Sequence, residues 1–121
     1  MDFAKYNADW LQAWSDKDVD TLVDRFYASN VVYKDTQTAK GLNGSAELRA
    51  YLTGLFAAMP PTRYDSDEIW PHADGKGYAG RWIGTMELPG GAKRRFRGFD
   101  LVILEGDRIT RNEVYTHDLP D

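Results

Sequence analysis

The 121-residue sequence contains no cysteine, and this absence excludes several kinds of chemistry. Disulfides, thiolate metal sites and cysteine nucleophiles all require that residue. Histidine is scarce too, because His72 and His117 are the only two, and their spacing resembles no known metal site. We therefore expect no metal and no other cofactor.

Long apolar runs are also missing, since no stretch approaches the ~18 residues that a membrane span needs. Residues 1–5 (MDFAK) lack the basic and apolar segments of a signal peptide. The net charge of −4 argues against nucleic acid or an anionic membrane as the main partner. The length fits one domain, residues 1–121, and we expect it to be soluble and cytoplasmic.

Two compositional features stand out against these absences. Four Trp, seven Tyr and five Phe are many for this length, and aromatics at that density fill a core, line a ligand cavity, or both. Residues 93–97 (KRRFR) form a basic cluster beside a Pro-Gly-Gly turn. Such a cluster could attract a phosphate or carboxylate on a ligand, although it is more typical of a solvated hairpin arm.

The first half of the chain shows helical periodicity in three segments. Apolar residues recur at helical spacing over roughly residues 2–15, 19–27 and 44–59. We expect residues 28–30 to end the second helix and the two prolines at 60–61 to end the third. Between them, a β-prone run at 31–33 is followed by a loop over residues 36–43.

The second half of the chain is typical of β structure. Strands are predicted over residues 63–70, 78–88, 96–104 and 109–117, and short glycine-containing turns separate them. Strands connected in this way form an antiparallel meander. The sequence thus predicts an α+β fold in which three helices cover one face of a curved sheet, forming a cone around a pocket.

Asp100 is the most conspicuous polar residue, because it lies inside the apolar strand segment 99–104 (FDLVIL). An ionised carboxylate is costly in such surroundings, so its pKa is expected to be raised. A protonated acid can donate a hydrogen bond to a developing oxyanion. The alternative is a buried, hydrogen-bonded carboxyl group that only stabilises the sheet.

Strand alternation sorts the possible walls of the pocket into two sets. The residues that share a face with Asp100, and that we expect to line the pocket, are Trp82, Met86, Val102, Asn112, Val114 and Thr116. A slip of one residue would instead select Arg81, Ile83, Thr85, Glu113 and Tyr115. Trp10, Trp14 and Tyr33 are further aromatic candidates, and any of these residues could simply fill the core.

Three motifs give the chain a family resemblance. They are residues 14–20 (WSDKDVD) at the joint of the first two helices, residues 27–35 (YASNVVYKD) followed by Gly44, and residues 98–100 (GFD) with 106–109 (GDRI) and 113–115 (EVY). In this order they resemble the nuclear-transport-factor-2-like superfamily, which has a cystatin-like cone fold. Within it, the sequence is most similar to SnoaL-like polyketide cyclases and ketosteroid isomerases.

The resemblance implies roles for individual residues. Asp35 matches the proton-shuttling base of the isomerases, Asp100 matches their hydrogen-bonding acid, and Tyr51 matches an aromatic pocket position. Trp10 stands where the isomerases carry a tyrosine whose hydroxyl completes the oxyanion hole. An indole N–H can donate a hydrogen bond but cannot act as an acid. Asp35 has an alternative role as the cap of a turn.

Three functions follow as hypotheses. The first is proton transfer without a cofactor on a small apolar carbonyl compound, by isomerisation, dehydration or cyclisation with Asp35 and Asp100. The second is a non-catalytic binder of a small hydrophobic ligand, and the third is a dimerisation module. The resemblance also implies a homodimer.

Overall fold

The computed structural model describes residues 1–120, and its first half carries three helices. Helix α1 begins where the Asp2 side chain accepts a hydrogen bond from the Lys5 backbone N–H at 3.0 Å, which caps the helix. The two prolines at 60–61 follow α3, as expected. The helical segments are α1 (Phe3–Ser15), α2 (Val19–Thr21) continued by a π-helical turn (Leu22–Phe26), and α3 (Ser45–Ala58).

Six strands form one curved, unclosed sheet in the order β2-β1-β6-β5-β4-β3. All neighbouring strands are antiparallel except β1 and β6, which are parallel. A short 3-10 turn, Pro89–Gly91, joins β4 to β5. The strands are β1 (Tyr27–Lys34), β2 (Leu42–Asn43), β3 (Thr62–Pro71), β4 (Gly77–Glu87), β5 (Lys93–Glu105) and β6 (Arg108–Asp118).

The structure confirms the α+β cone with three helices on a mixed, curved sheet. Two local predictions were wrong. Residues 28–30 belong to β1 and do not end a helix, because the backbone is already extended at Tyr27, which pairs with Ile109 of β6. Leu42 and Asn43, predicted as loop, form β2 by pairing with β1. Long-range strand pairing overrides local propensity at both places.

The hydrophobic core lies between the helices and the concave face of the sheet. On β5 the buried residues alternate, so that Gly98, Asp100, Val102 and Leu104 face the helices. Phe99, on the opposite face, is 42% exposed. Within residues 1–120, none of the helices is long and apolar enough to cross a membrane.

Candidate functional site

A cavity of about 480 Å³ lies between the concave face of the sheet and the helices. Most of the side chains that the sequence predicts for the site line this one cavity. They come from helices α1 and α3, from the end of β1, and from β4, β5 and β6. They are Asp35, Asp100, Trp10, Trp14, Tyr33, Tyr51, Trp82, Met86, Val114 and Thr116.

Val102 and Asn112 do not line the cavity, although both lie on the expected face. Each is fully buried at 0% exposure, beyond Asp100 along the sheet. Asn112 instead supports Asp100 from behind, because its Nδ2 donates to Asp100 Oδ2 at 3.4 Å. Its Oδ1 accepts a hydrogen bond from the Tyr27 hydroxyl at 2.8 Å. The fully buried ring of Tyr27 belongs to the core at this end.

Asp100 is the deepest acid of the cavity, with only 2% of its surface exposed. Its Oδ1 accepts a hydrogen bond from Trp82 Nε1 at 3.1 Å. Burial raises the pKa of the Asp100 carboxyl to about 7, and the hydrogen bonds from Trp82 and Asn112 oppose this only in part. Near neutral pH, Asp100 therefore exists in both its protonated and its ionised form.

Asp35 is half-buried and uses its two carboxylate oxygens for different purposes. Oδ2 accepts hydrogen bonds from the hydroxyls of Tyr51 at 2.6 Å and Tyr33 at 2.9 Å. Oδ1 accepts from the Gln37 backbone N–H at 2.8 Å and from Thr38 Oγ1 at 3.1 Å, which caps the turn after β1. The turn-capping role and a place in the cavity therefore occur together in one side chain.

The two phenols that contact Asp35 are held in their protonated form. Burial is the main cause of the raised pKa of Tyr33, and the neighbouring charge of Asp35 adds to it. Burial and the hydrogen bond to Asp35 also raise the pKa of Tyr51. Both hydroxyls therefore remain protonated hydrogen-bond donors at neutral pH.

The sheet register puts the two acids in one row. Lys34, the last residue of β1, pairs with Glu113 of β6, so continuing this register by one residue would bring Asp35, in the turn after β1, level with Val114. Val114 in turn pairs with Asp100 of β5. The two acids are therefore two strand spacings apart, about 10 Å between backbones, with Val114 between them. A ligand lying over Val114 would reach both carboxyl groups.

The first helix contributes two indole rings. Trp10 is 1% exposed and packs its ring edgewise against Tyr27 at 6.3 Å between centroids. Trp14 stacks on Tyr33 at 6.4 Å. Both indole N–H groups are buried, and neither has a hydrogen-bond partner among residues 1–120. Both tryptophans line the cavity, so these buried N–H groups lie beside it.

Sequence reasoning missed several lining residues. Phe96 and Arg94 lie on the face of Asp100, and extending the alternation of β5 backwards would have found them. Loop and strand-end residues carry no periodic signal. The missed side chains are Leu11, Thr36, Gln37, Leu55, Met59, Tyr64, Phe96 and Asp118, whereas Arg94 and His117 were considered but not predicted to line the pocket. In the described residues, no three His, Cys, Asp or Glu side chains cluster as metal ligands.

Comparisons with known proteins agree with the architecture. A family model described as a SnoaL-like domain matches residues 8–112. No protein of curated function matches the sequence at a significant level.

Solved structures show the same fold at low identity. A protein with a ketosteroid isomerase-like fold from Catenulispora acidiphila, in complex with trimethylamine, superposes with a TM-score of 0.77. It is 14% identical, over 91% of this chain and 83% of that one. The epoxide hydrolase/cyclase-like enzyme SalBIII, which has a role in pyran ring formation in the polyether salinomycin, superposes with a TM-score of 0.77. It is 18% identical, over 94% of this chain and 89% of that one. A Mycobacterium tuberculosis protein in complex with estradiol-17β-hemisuccinate superposes with a TM-score of 0.73. It is 15% identical, over 93% of this chain and 91% of that one.

Proposed function

The chain belongs to the SnoaL-like domain family, and on that basis we propose that it transfers a proton next to the carbonyl group of a small apolar molecule. The reaction is of the isomerase, cyclase or dehydratase type and uses Asp35 and Asp100 without a cofactor. The observation that carries this proposal is the row of Asp35, Val114 and Asp100 on one cavity wall.

Each acid is suited to one half of the reaction. Asp35 accepts the proton from the carbon beside the carbonyl, and the electrons of the C–H bond move into the carbonyl to form an enolate. Asp100 in its protonated form donates a hydrogen bond to the enolate oxygen. Its pKa of about 7 keeps a protonated fraction at neutral pH. The proton then returns from Asp35 to a carbon atom, or the enolate carbon attacks a second carbonyl and closes a ring, and the alkoxide formed there takes the proton from Asp35.

The ligand of one structural neighbour and the reaction of another support a ring system as the substrate body. The Mycobacterium tuberculosis neighbour is in complex with a steroid derivative, and SalBIII has a role in forming a pyran ring. A cavity of about 480 Å³ with aromatic walls suits such a molecule.

Deuterium exchange tests the proposal without knowledge of the natural substrate. The probe is 2-tetralone, a flat bicyclic ketone, and proton NMR in D₂O follows replacement of its α-protons. We expect the protein to accelerate this exchange, and Asp35→Asn and Asp100→Asn each to reduce the acceleration by 100-fold or more, the usual size of general acid–base effects. Asp9→Asn is the matched control, because Asp9 pairs with Lys5 on α1 away from the cavity. Full exchange by both active-site variants would refute the mechanism.

A second candidate is binding without turnover. It is favoured because the Asp35 carboxylate already accepts four hydrogen bonds within the protein. It is also favoured by Trp10, which offers an N–H donor in place of a phenol. A thermal shift with 2-tetralone and no exchange above the background rate would support this candidate.

We also propose that two copies pair through the convex face of the sheet. The support is a patch of exposed aromatic side chains on that face, where Trp70 is 39%, Phe99 42% and Tyr115 59% exposed. Light scattering is expected to give the mass of two chains. Phe99→Glu should give one chain, whereas Ala8→Glu, on the exposed side of α1, should leave the dimer intact. A single-chain mass for the unsubstituted protein would contradict this proposal.

A further inference from the structure

Two polar side chains of β5 line the cavity, Arg94 near the start of the strand and Asp100 further inside it. Arg94, Phe96, Gly98 and Asp100 share the concave face of β5. Asp100 is 2% exposed, whereas the side chain of Arg94 is 53% exposed. Six residues at about 3.3 Å each separate them by about 20 Å along the strand. A molecule with polar groups at both ends could therefore contact both.

The part of the cavity between Arg94 and Asp100 is lined by aromatic rings. The rings of Tyr64, Trp82 and Phe96 contact each other, with centroid distances of 5.0, 5.6 and 6.2 Å. Gly84 makes room for the Phe96 ring, because a Cβ at that position would lie 2.4 Å from Phe96 Cζ. The middle of the ligand is thus expected to be an apolar ring system.

The guanidinium of Arg94 already holds a carboxylate. Its Nε and Nη2 both donate to Asp118 Oδ1, at 3.2 and 2.6 Å. This pair is exposed on both sides, and such surface pairs contribute about 0–1 kcal/mol. Exchanging Asp118 for another carboxylate therefore costs little, and the exchange is favourable when the incoming carboxylate is attached to a ring that the cavity buries.

The surroundings of Arg94 favour an anion. Lys93, Arg95 and Arg97 lie within three residues on the same strand, and their fields overlap within a Debye length of about 10 Å. Asp118 is the carboxylate paired with Arg94. Arginine matches the planar geometry of a carboxylate better than lysine does, which gives the site specificity as well as charge.

From these observations we propose that the cavity takes a flat carbonyl compound with a carboxylate at its outer end, and that Arg94 binds this carboxylate in place of Asp118. The inference rests on the proposed function, since it concerns the same cavity. It specifies the substrate class as an amphiphilic oxo-acid, with the carbonyl near Asp100 and the acid near Arg94.

The test compares two probes that differ only in charge at one end. 4′-Hydroxybiphenyl-4-carboxylate carries the anion, and 4′-hydroxybiphenyl-4-carboxamide is its neutral counterpart. Calorimetric titration at low salt is expected to show the carboxylate binding about tenfold more tightly, as a charge-assisted hydrogen bond predicts. Arg94→Gln should abolish this preference. Arg63→Gln should keep it, because Arg63 pairs with Asp65 on β3, outside the cavity lining.

A second variant tests the exchange itself. Asp118→Asn removes the competing carboxylate, so binding of the carboxylate probe should become severalfold tighter. Four results would each overturn the proposal. They are weaker binding of the carboxylate probe by Asp118→Asn, equal binding of both probes, no binding of either probe, and a preference for the carboxylate that survives Arg94→Gln. The proposed function is tested separately, because 2-tetralone is uncharged. Normal exchange of its protons without a carboxylate preference would overturn this inference alone, and the reverse result would overturn only the proposed function.

Discussion

The indole ring of Trp82 lies across Gly98 on the neighbouring strand, and the two residues are paired in register. A Cβ added at Gly98 would fall 2.0 Å from Trp82 Cζ2, a distance that no side chain tolerates. From this position Trp82 Nε1 reaches Asp100, which lies two residues after the glycine on the same face. Because Gly98 on β5 has no side chain, the indole of Trp82 on β4 can donate its hydrogen bond to the buried Asp100.

Gly98→Ala is expected to displace Trp82 and to break its hydrogen bond to Asp100. Overpacking of this kind costs about 1–3 kcal/mol of the free energy of unfolding, measured by urea denaturation. Because the bond from Trp82 lowers the pKa of Asp100, its loss should move that pKa above about 7. Carbon NMR of the labelled carboxyl group measures the change directly.

Gly54→Ala is the matched control for this substitution. Gly54 lies inside α3, and a Cβ there would meet nothing within 4 Å. Alanine should stabilise the helix by up to about 1 kcal/mol. If Gly98→Ala is as stable as the unsubstituted chain, Gly98 does not provide the space inferred for it.

Asp100→Asn should make the free energy of unfolding less dependent on pH. The carboxyl group has a pKa of about 7 when folded, against an ordinary value of 3.8 that the unfolded chain regains. Between these values the folded chain binds more protons, so stability falls as pH rises, by about 4 kcal/mol at most across the whole interval. Asparagine has no such titration.

The measurement is urea denaturation at several pH values between 4 and 8. The stability of Asp100→Asn relative to the unsubstituted chain should rise with pH and level off above pH 7. The difference between Gly54→Ala and the unsubstituted chain should stay constant over the same range. A constant difference for Asp100→Asn as well would mean that Asp100 does not titrate near neutrality.

The sequence predicted those parts of the site in which side chains alternate between the two faces of a strand. The alternation around Asp100 identified the buried face of β5, because a carboxyl group in an apolar strand is recognisable without any partner. The same reasoning aligned Trp82 and Val114 with Asp100. The family resemblance, and not the residues around it, suggested a role for Asp35.

Other features of the site depend on contacts between distant segments and have no local signature. Tyr27 begins a strand because Ile109, far along the chain, pairs with it, and its hydroxyl then meets Asn112. The Tyr51 hydroxyl reaches Asp35, in the turn after β1, from helix α3, at 2.6 Å. Such pairings follow from the folded topology, so spacing alone could not have predicted them.

Tyr33→Phe is expected to destabilise the fold more than Tyr51→Phe. Both hydroxyls donate to Asp35 Oδ2, but Tyr33 is only 2% exposed, so water cannot replace its hydroxyl. A hydrogen bond to a charged group contributes about 1.5–3 kcal/mol, and we expect Tyr33→Phe to cost that amount in urea denaturation. The half-buried Tyr51 should cost less.

Tyr115→Phe provides the control for these phenols. Its hydroxyl also donates to a carboxylate, Glu113 Oε1 at 2.7 Å, but the side chain lies on the outer face and is 59% exposed. In the Phe99→Glu background, which is expected to be a single chain, we expect no measurable loss of stability from this change. An equal loss in all three variants would show that burial does not determine the contribution of the Tyr33 bond.

Lys17 is expected to stabilise the joint between helices in spite of an unfavourable backbone conformation. Its φ of +54° lies in the left-handed region, which costs a non-glycine residue roughly 1–2 kcal/mol. Its Nζ donates to the carbonyl oxygens of Phe56 at 3.1 Å and Met59 at 2.5 Å, and so satisfies acceptors at the end of α3.

Lys17→Met keeps the strained backbone conformation and loses both hydrogen bonds, so it should lower the free energy of unfolding by about 1–3 kcal/mol. Lys17→Gly loses the same bonds but relieves the strain, so urea denaturation should place it between Met and Lys. If Lys17→Gly is less stable than Lys17→Met, the backbone conformation of Lys17 is not strained. If Lys17→Met is as stable as the unsubstituted protein, the two hydrogen bonds from Lys17 Nζ do not stabilise the end of α3.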